Sequence, residues 1–238
     1  MSDLFLSPTT ILALIGLLAL LLGFIRIRRE KMDAHIIAAA AVLTALSVLL
    51  QQFRLFHMPQ GGSVTVGSMV PLLLISYRFG PGVGMLAGFI CGMLNLFQDP
   101  YILHPVQVLF DYPLPFMAMG LAGLSAGHIY RGAAAAFAAR FLCHFISGIV
   151  FFSSYAPSGT SPILYALTFN ASYLVPEFLV CCLILKLLPV SRLLNAMGGK
   201  SLWAMLPFFL ASVIFSTISI VISCRFFCRL SCRGSACR

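Results

Sequence analysis

The stretch ILYALTFNASYLVPEFLVCCLILKLL, residues 163–188, is apolar for longer than a bilayer requires and carries one carboxylate, Glu177, in its middle. A hydrocarbon core about 30 Å thick asks for roughly 20 apolar residues of α-helix. The stretch therefore predicts a membrane span with a polar face, because Asn170, Tyr173 and Glu177 follow one another at helical spacing. The same texture recurs along the whole chain. Of its 238 residues, 61% are hydrophobic and 9% charged, and the mean hydropathy is +1.02. One soluble core has no room for so much apolar surface, so lipid must cover most of it.

Working outward from residues 163–188, about eight apolar stretches separated by short polar loops are long enough to serve as spans. They run from Leu4 to Ile25, Ala34 to Phe53, Val64 to Tyr77, Pro81 to Phe97, Val106 to Ala126, Ala133 to Tyr155, Ile163 to Leu188 and Leu202 to Cys224. The predicted fold class is an all-α integral membrane protein.

The net charge of +9 does not point to nucleic acid, because most basic residues sit at the ends of apolar stretches and act as orientation signals. Arg26, Arg28, Arg29 and Lys31 follow the first stretch, which reads as a retained span with its N-terminus outside. Arg78, Arg131, Lys186, Arg192 and Lys200 then fall on the inner side, whereas the outer loops before the last span hold only Arg54. The loops His57 to Ser63, Gln98 to Pro105 and Ala156 to Pro162 are expected to face outward. Arg225, Arg229, Arg233 and Arg238 break the rule, and Pro207 with nearby serines allows a re-entrant last segment instead of a full span.

Cys91, Cys143, Cys181 and Cys182 lie within apolar runs and read as small buried hydrophobes. Cys224, Cys228, Cys232 and Cys237 lack zinc spacing, which leaves disulfides or a reactive tail. Two faces of small residues stand out: Ala34, Ala38, Ala41 and Ala45, and Gly80, Gly84, Gly88 and Gly92. Each serves either close packing inside the bundle or docking of another membrane subunit.

Ionisable groups inside spans cost several kcal/mol unless paired or wet, so each is a functional candidate. Asp111, His144 and Glu177 stand out, the first two at one expected depth below the outer surface together with Tyr165, Asn170 and Tyr173. Gln107 and Asp111 share a face. His144, Gly148, Phe152 and Tyr155 form a stripe in which the glycine is expected to leave room between imidazole and aromatic rings. With Tyr101 and Tyr112 nearby, the arrangement predicts an outward cavity for a flat cationic or amine-bearing solute held by charge and cation–π attraction. An anion is poorly served. Each residue taken singly also has a structural reading: His144 as a satisfied core histidine, Glu177 as a bond to a neighbouring helix. The loop MPQGGS, with Gln60, Gly61 and Gly62, reads as either a plain turn or a lid. Metal-ligand patterns, phosphate-cradling glycine loops and nucleophile elbows are absent, so no catalysis is expected.

Several separated motifs carry a family resemblance: MPQGGSVTVGSMVPLLLISYRFGPGVG, PYILHPVQVLFDYPLPFMAMGLAGL, HFISGIVFFSSYAPSG and YALTFNASY. Between about Ala34 and Leu188 the chain resembles the thiamine-specific substrate-binding (S) components of energy-coupling factor (ECF) transporters. The resemblance implies a six-helix domain at residues 32–190; the first span and basic turn at 1–31 and the hydrophobic, Cys/Arg-rich segment at 191–238, a further span by hydropathy, lie outside that pattern. It implies thiamine as ligand, no cofactor of its own, and partnership with a transmembrane coupling subunit and two cytoplasmic ATPases that consume ATP. It also implies that Asp111 faces the aminopyrimidine beside Tyr112, that His144, Tyr165 and Asn170 line the pocket, and that Phe152 stacks where a tryptophan can stand. The lid then corresponds to Gln60, Gly61 and Gly62, and the docking face to Ala34, Ala38, Ala41 and Ala45. The competing reading is an autonomous secondary carrier of a related cationic solute, with Asp111 and Glu177 as proton-linked groups.

Overall fold

The computed structural model describes residues 8–198 except Ala126. The expected eighth span and the tail cysteines lie outside these described residues. Among the described residues, four helices are long and apolar enough to cross a membrane: α1 (Pro8–Arg28), α4 (Pro81–Gln98), α7 (Ile129–Phe151) and α8 (Pro162–Leu187). Two shorter apolar helices, α2 (Ala34–Leu50) and α3 (Val70–Phe79), stand among them. Asp33 caps α2 by accepting a hydrogen bond from the Ile36 N–H at 2.8 Å.

Two of the predicted spans are not continuous helices. Where a span from Val64 to Tyr77 was expected, the chain forms a two-stranded antiparallel hairpin, β1 (Arg54–His57) with β2 (Ser63–Thr65), then a turn, and only then α3. Hydropathy alone cannot separate a buried strand and turn from a helix, and here Gly67 at φ +76° turns the chain. Val64, Thr65, Val66, Ser68 and Met69 are all buried. Non-helical backbone at such depth persists only where protein or a wet cavity satisfies it. The Val66 N–H donates to Phe53 O at 3.2 Å and the Val70 N–H to Gly67 O at 3.0 Å.

The span expected from Val106 to Ala126 is broken into α5 (Pro105–Asp111), α6 (Pro113–Met117) and a 3-10 helix, Ala118–Leu124. The break falls at Tyr112, whose backbone lies at φ −118°, ψ −77°. Pro113 and Pro115 explain it, since a proline lacks the N–H that would bond one turn back and disfavours helical geometry in the residue before it. His104 starts α5 by accepting from the Val106 N–H at 3.1 Å. The sixth expected span begins earlier than predicted, at Ile129, and its helix ends at Phe151. Ser153–Tyr155 continue as a 3-10 turn.

The two small-residue faces have different fates. A Cβ at Gly88 would strike the Phe116 carbonyl oxygen, and one at Gly92 would reach the Tyr112 carbonyl at 2.5 Å. Gly88 and Gly92 thus pack α4 against the broken segment, whereas Gly84 lies against Ser76 of α3 and Gly80 near Glu30. By contrast Ala34, Ala38, Ala41 and Ala45 are all exposed. The extra helix α1 buries Gly16 against Leu109 and Phe110, and Gly23 against Met117. Phe24 meets Phe89 edge-on at 5.2 Å. From Ile184 the chain forms a second unit, containing the end of α8 and the short helix α9 (Val190–Gly198).

Candidate functional site

A cleft opens at the end of the first unit where the hairpin loop, the 99–104 loop and the 3-10 turn after α7 come together. Its empty space, mouth included, is about 950 Å³. Tyr101, Gln107, Asp111, Tyr112, His144, Gly148, Phe152, Tyr165 and Asn170 line it, with Gln60, Gly61 and Gly62 at the loop; Tyr155, expected on the same stripe, is not among the lining residues and stands behind Tyr101 and Phe152 instead.

Asp111 is the centre of the polar wall. It closes α5 just before the proline break, which turns its carboxylate toward α7. There His144 Nδ1 stands 3.2 Å from Asp111 Oδ1. Gln107, one turn earlier, donates from Nε2 to Asp111 Oδ2 at 2.5 Å and to the Tyr101 carbonyl at 3.0 Å. Its Oε1 accepts from the Leu103 N–H at 3.0 Å. Gln107 therefore ties the carboxylate to the mouth loop. His144 Nε2 is buried without a hydrogen-bond partner.

Tyr112 acts through the loop. Its hydroxyl donates to the Asp99 carbonyl at 2.8 Å and accepts from the Tyr101 N–H at 2.7 Å. Tyr101 in turn stacks on Phe152 at 5.8 Å and donates its hydroxyl to that of Tyr155 at 2.9 Å. That hydrogen bond first, with burial second, pushes ionisation of Tyr101 up to about 12. Outside the aromatic rim, Arg54 pairs with Asp99 at 2.7 Å, joining the hairpin to the mouth loop.

Gly148 departs from the expectation. A Cβ there would lie 2.9 Å from Ala166 Cβ and 3.1 Å from Asn170 Nδ2, so the room it leaves is taken mainly by α8. Asn170 is likewise engaged in joining helices: its amide donates to Ala166 O at 2.8 Å and His144 O at 3.3 Å, and its oxygen accepts from the Tyr173 hydroxyl at 2.9 Å. The Tyr173 ring lies against the hairpin loop, 2.9 Å from where a Gly62 Cβ would be.

The sequence reading passed over Arg140, one turn before His144. Its guanidinium lines the cleft, sits 4.3 Å over the Phe116 ring and donates from Nη1 to Met69 Sδ at 3.0 Å. Its Nε has no partner. The cavity is therefore not purely acidic, and the expectation that an anion is poorly served needs this correction. An arginine inside an apolar run was itself the signal. Gln51 and Asn95, joined at 2.6 Å, also line the cleft, and neither carried a pattern beyond being polar in a span.

An all-α membrane protein with its polar side chains gathered in one open cleft has the anatomy of a membrane solute-handling protein, with the cleft between its helices as the place for a small molecule. Residues 37–198 match the family described as Thiamine transporter protein (Thia_YuaJ), and the chain belongs to that family. It is a family of transport proteins, not of enzymes. The chain is 38% identical to the thiamine transporter ThiT of Bacillus subtilis over 62% of this chain and 86% of that protein. It is 30% identical to ThiT of Lacticaseibacillus paracasei over 56% of this chain and 77% of that protein. The solved structure of ThiT from Listeria monocytogenes shares the fold, with TM-score 0.58 at 23% identity, covering 68% of this chain and 93% of that one. The family match begins after α1, which lies outside it.

Proposed function

We propose that this chain is the thiamine-binding membrane subunit of an ATP-dependent ECF importer, capturing thiamine at the outer face. The observation that carries the reading is the Gln107–Asp111–His144 arrangement facing an aromatic rim, in a member of the thiamine transporter family. Thiamine offers an aminopyrimidine that can donate to a carboxylate and a permanently cationic thiazolium suited to aromatic faces. Asp111, with Gln107 and His144, is the proposed anchor. Tyr101, Tyr112, Phe152, Tyr165, Gly148 and Asn170 shape the walls, and Gln60, Gly61 and Gly62 form the lid. The positive-inside distribution supports an outward mouth.

Energy is proposed to come from partners, a transmembrane coupling subunit and two ATPases. The exposure of Ala34, Ala38, Ala41 and Ala45 supports this by leaving a small-residue face open for another helix. Reconstitution in liposomes tests the reading. Thiamine uptake is expected only when the coupling subunit, the ATPases and ATP are present. Uptake by this chain alone under a pH gradient would make it an autonomous proton-linked carrier instead.

A further inference from the structure

Glu177 is the buried carboxylate that the thiamine reading leaves without a role. It is 2% exposed, on the middle of α8. No cation lies within ion-pairing distance of it among the described residues. Its partners come instead from the turn below the hairpin: the Thr65 N–H donates to Oε2 at 2.5 Å and the Thr65 hydroxyl to Oε1 at 2.6 Å, with the Ser68 hydroxyl also bonded to the carboxylate. A charged group left in such a place without hydrogen bonds costs several kcal/mol, so the geometry is a demanding one.

Thr65 ends β2, the strand that returns from the lid loop, and begins the turn 65–69 leading to α3. That turn is held from three helices. Ser47 on α2 donates to the Ser68 carbonyl at 2.5 Å, Arg140 on α7 donates to Met69 Sδ at 3.0 Å, and Glu177 on α8 takes both Thr65 donors. Within the turn, the Thr65 and Ser68 hydroxyls lie 2.7 Å apart. Thr65, Ser68 and Met69 all line the cleft. The Glu177 contact is the one that reaches the strand itself.

We propose that Glu177 is a positioning residue of the binding site: its carboxylate fixes Thr65, and with it the floor turn 65–69 and the returning strand of the lid hairpin. The loop before Ser63 thus has its returning end anchored at Thr65. Glu177, which lies in the cleft lining beside Thr65, then acts on ligand retention through the turn it holds. The ligand arm of this inference rests on the thiamine reading; the hairpin arm does not.

The test is hydrogen exchange by mass spectrometry on purified, ligand-free full-length protein in detergent, comparing wild type, Glu177→Gln, Glu177→Leu, Thr65→Val and the double variant Glu177→Leu/Thr65→Val. Exchange over residues 54–69 is expected to rise about tenfold in Glu177→Leu and less in Glu177→Gln, whose amide oxygen still accepts from the Thr65 N–H. Thr65→Val is expected to move the same segment, and the double variant to be no worse than Glu177→Leu. Thiamine dissociation is expected to speed in the same order. Unchanged exchange, a rise spread evenly over all helices, or additive effects in the double variant would overturn the proposal. Failure of wild type to bind thiamine would sink the functional reading while leaving the exchange result decisive for Glu177.

Discussion

Asp111 Oδ1 and His144 Nδ1 lie 3.2 Å apart although one closes a helix of 7 residues and the other sits inside a helix of 23. The proline break after Asp111 makes the meeting possible, because an unbroken helix would continue past the cleft instead of ending at its wall. Replacing Asp111 by Asn keeps the shape and removes the charge. Thiamine affinity is expected to fall by about 1 to 3 kcal/mol through loss of a charge-assisted hydrogen bond. Calorimetry reads this directly, and unchanged affinity would remove Asp111 from the site.

Tyr112→Phe tests whether the mouth loop is held from behind. The ring stays, while the two hydrogen bonds to Asp99 O and Tyr101 N are lost. Each contributes about 1 kcal/mol. Affinity is expected to drop while the thermal unfolding midpoint shifts by only a few degrees. An unchanged affinity would mean that the loop keeps its place without the hydroxyl.

Gly62 and Gly159 form an internal control. Their backbones lie at φ +87° and +88°, where any side chain is strained, yet only Gly62 faces a neighbour: its Cβ would lie 2.9 Å from the Tyr173 ring. Alanine at either position costs roughly 1–2 kcal/mol in backbone terms. Gly62→Ala is expected to weaken thiamine binding as well, because the lid loop must lift from Tyr173. Gly159→Ala is expected to leave affinity within about twofold, the ordinary result for a strained but open loop. Equal affinities for the two variants would contradict the lid assignment.

The alanine and glycine faces separate docking from folding. Ala38→Leu and Ala41→Leu alter exposed positions and are expected to preserve thiamine binding while blocking uptake with the partner subunits. Gly88→Ala drives a methyl into the Phe116 carbonyl, and a backbone atom cannot step aside cheaply. It is expected to destabilise the protein by about 1–3 kcal/mol or more. Normal uptake by both alanine-face variants would leave that surface to lipid.

The class of fold and the members of the cleft were legible because spans, depth and helical spacing are all written in hydropathy and residue order. Asp111, His144 and Tyr165, expected at one depth from helical spacing, line one cleft. What hydropathy cannot register is a change of backbone within an apolar run. The hairpin and turn through Thr65 to Met69 read as span for that reason, and the break at Tyr112 was marked only by Pro113 and Pro115. Gly148 was rightly placed but wrongly explained, since spacing identifies a face without saying which neighbour fills the room. Arg140 was as legible as the carboxylates, since a lone arginine amid apolar residues carries the same physical signal.

The central claim is that this cleft binds thiamine at the Asp111 wall. Isothermal titration of purified full-length protein with thiamine and, separately, with its pyrimidine half tests it most directly. Saturable thiamine binding, measurable binding of the pyrimidine half, and weakening of both by Asp111→Asn are expected. Thiamine binding that ignores Asp111→Asn, or no thiamine binding by folded protein, would contradict it.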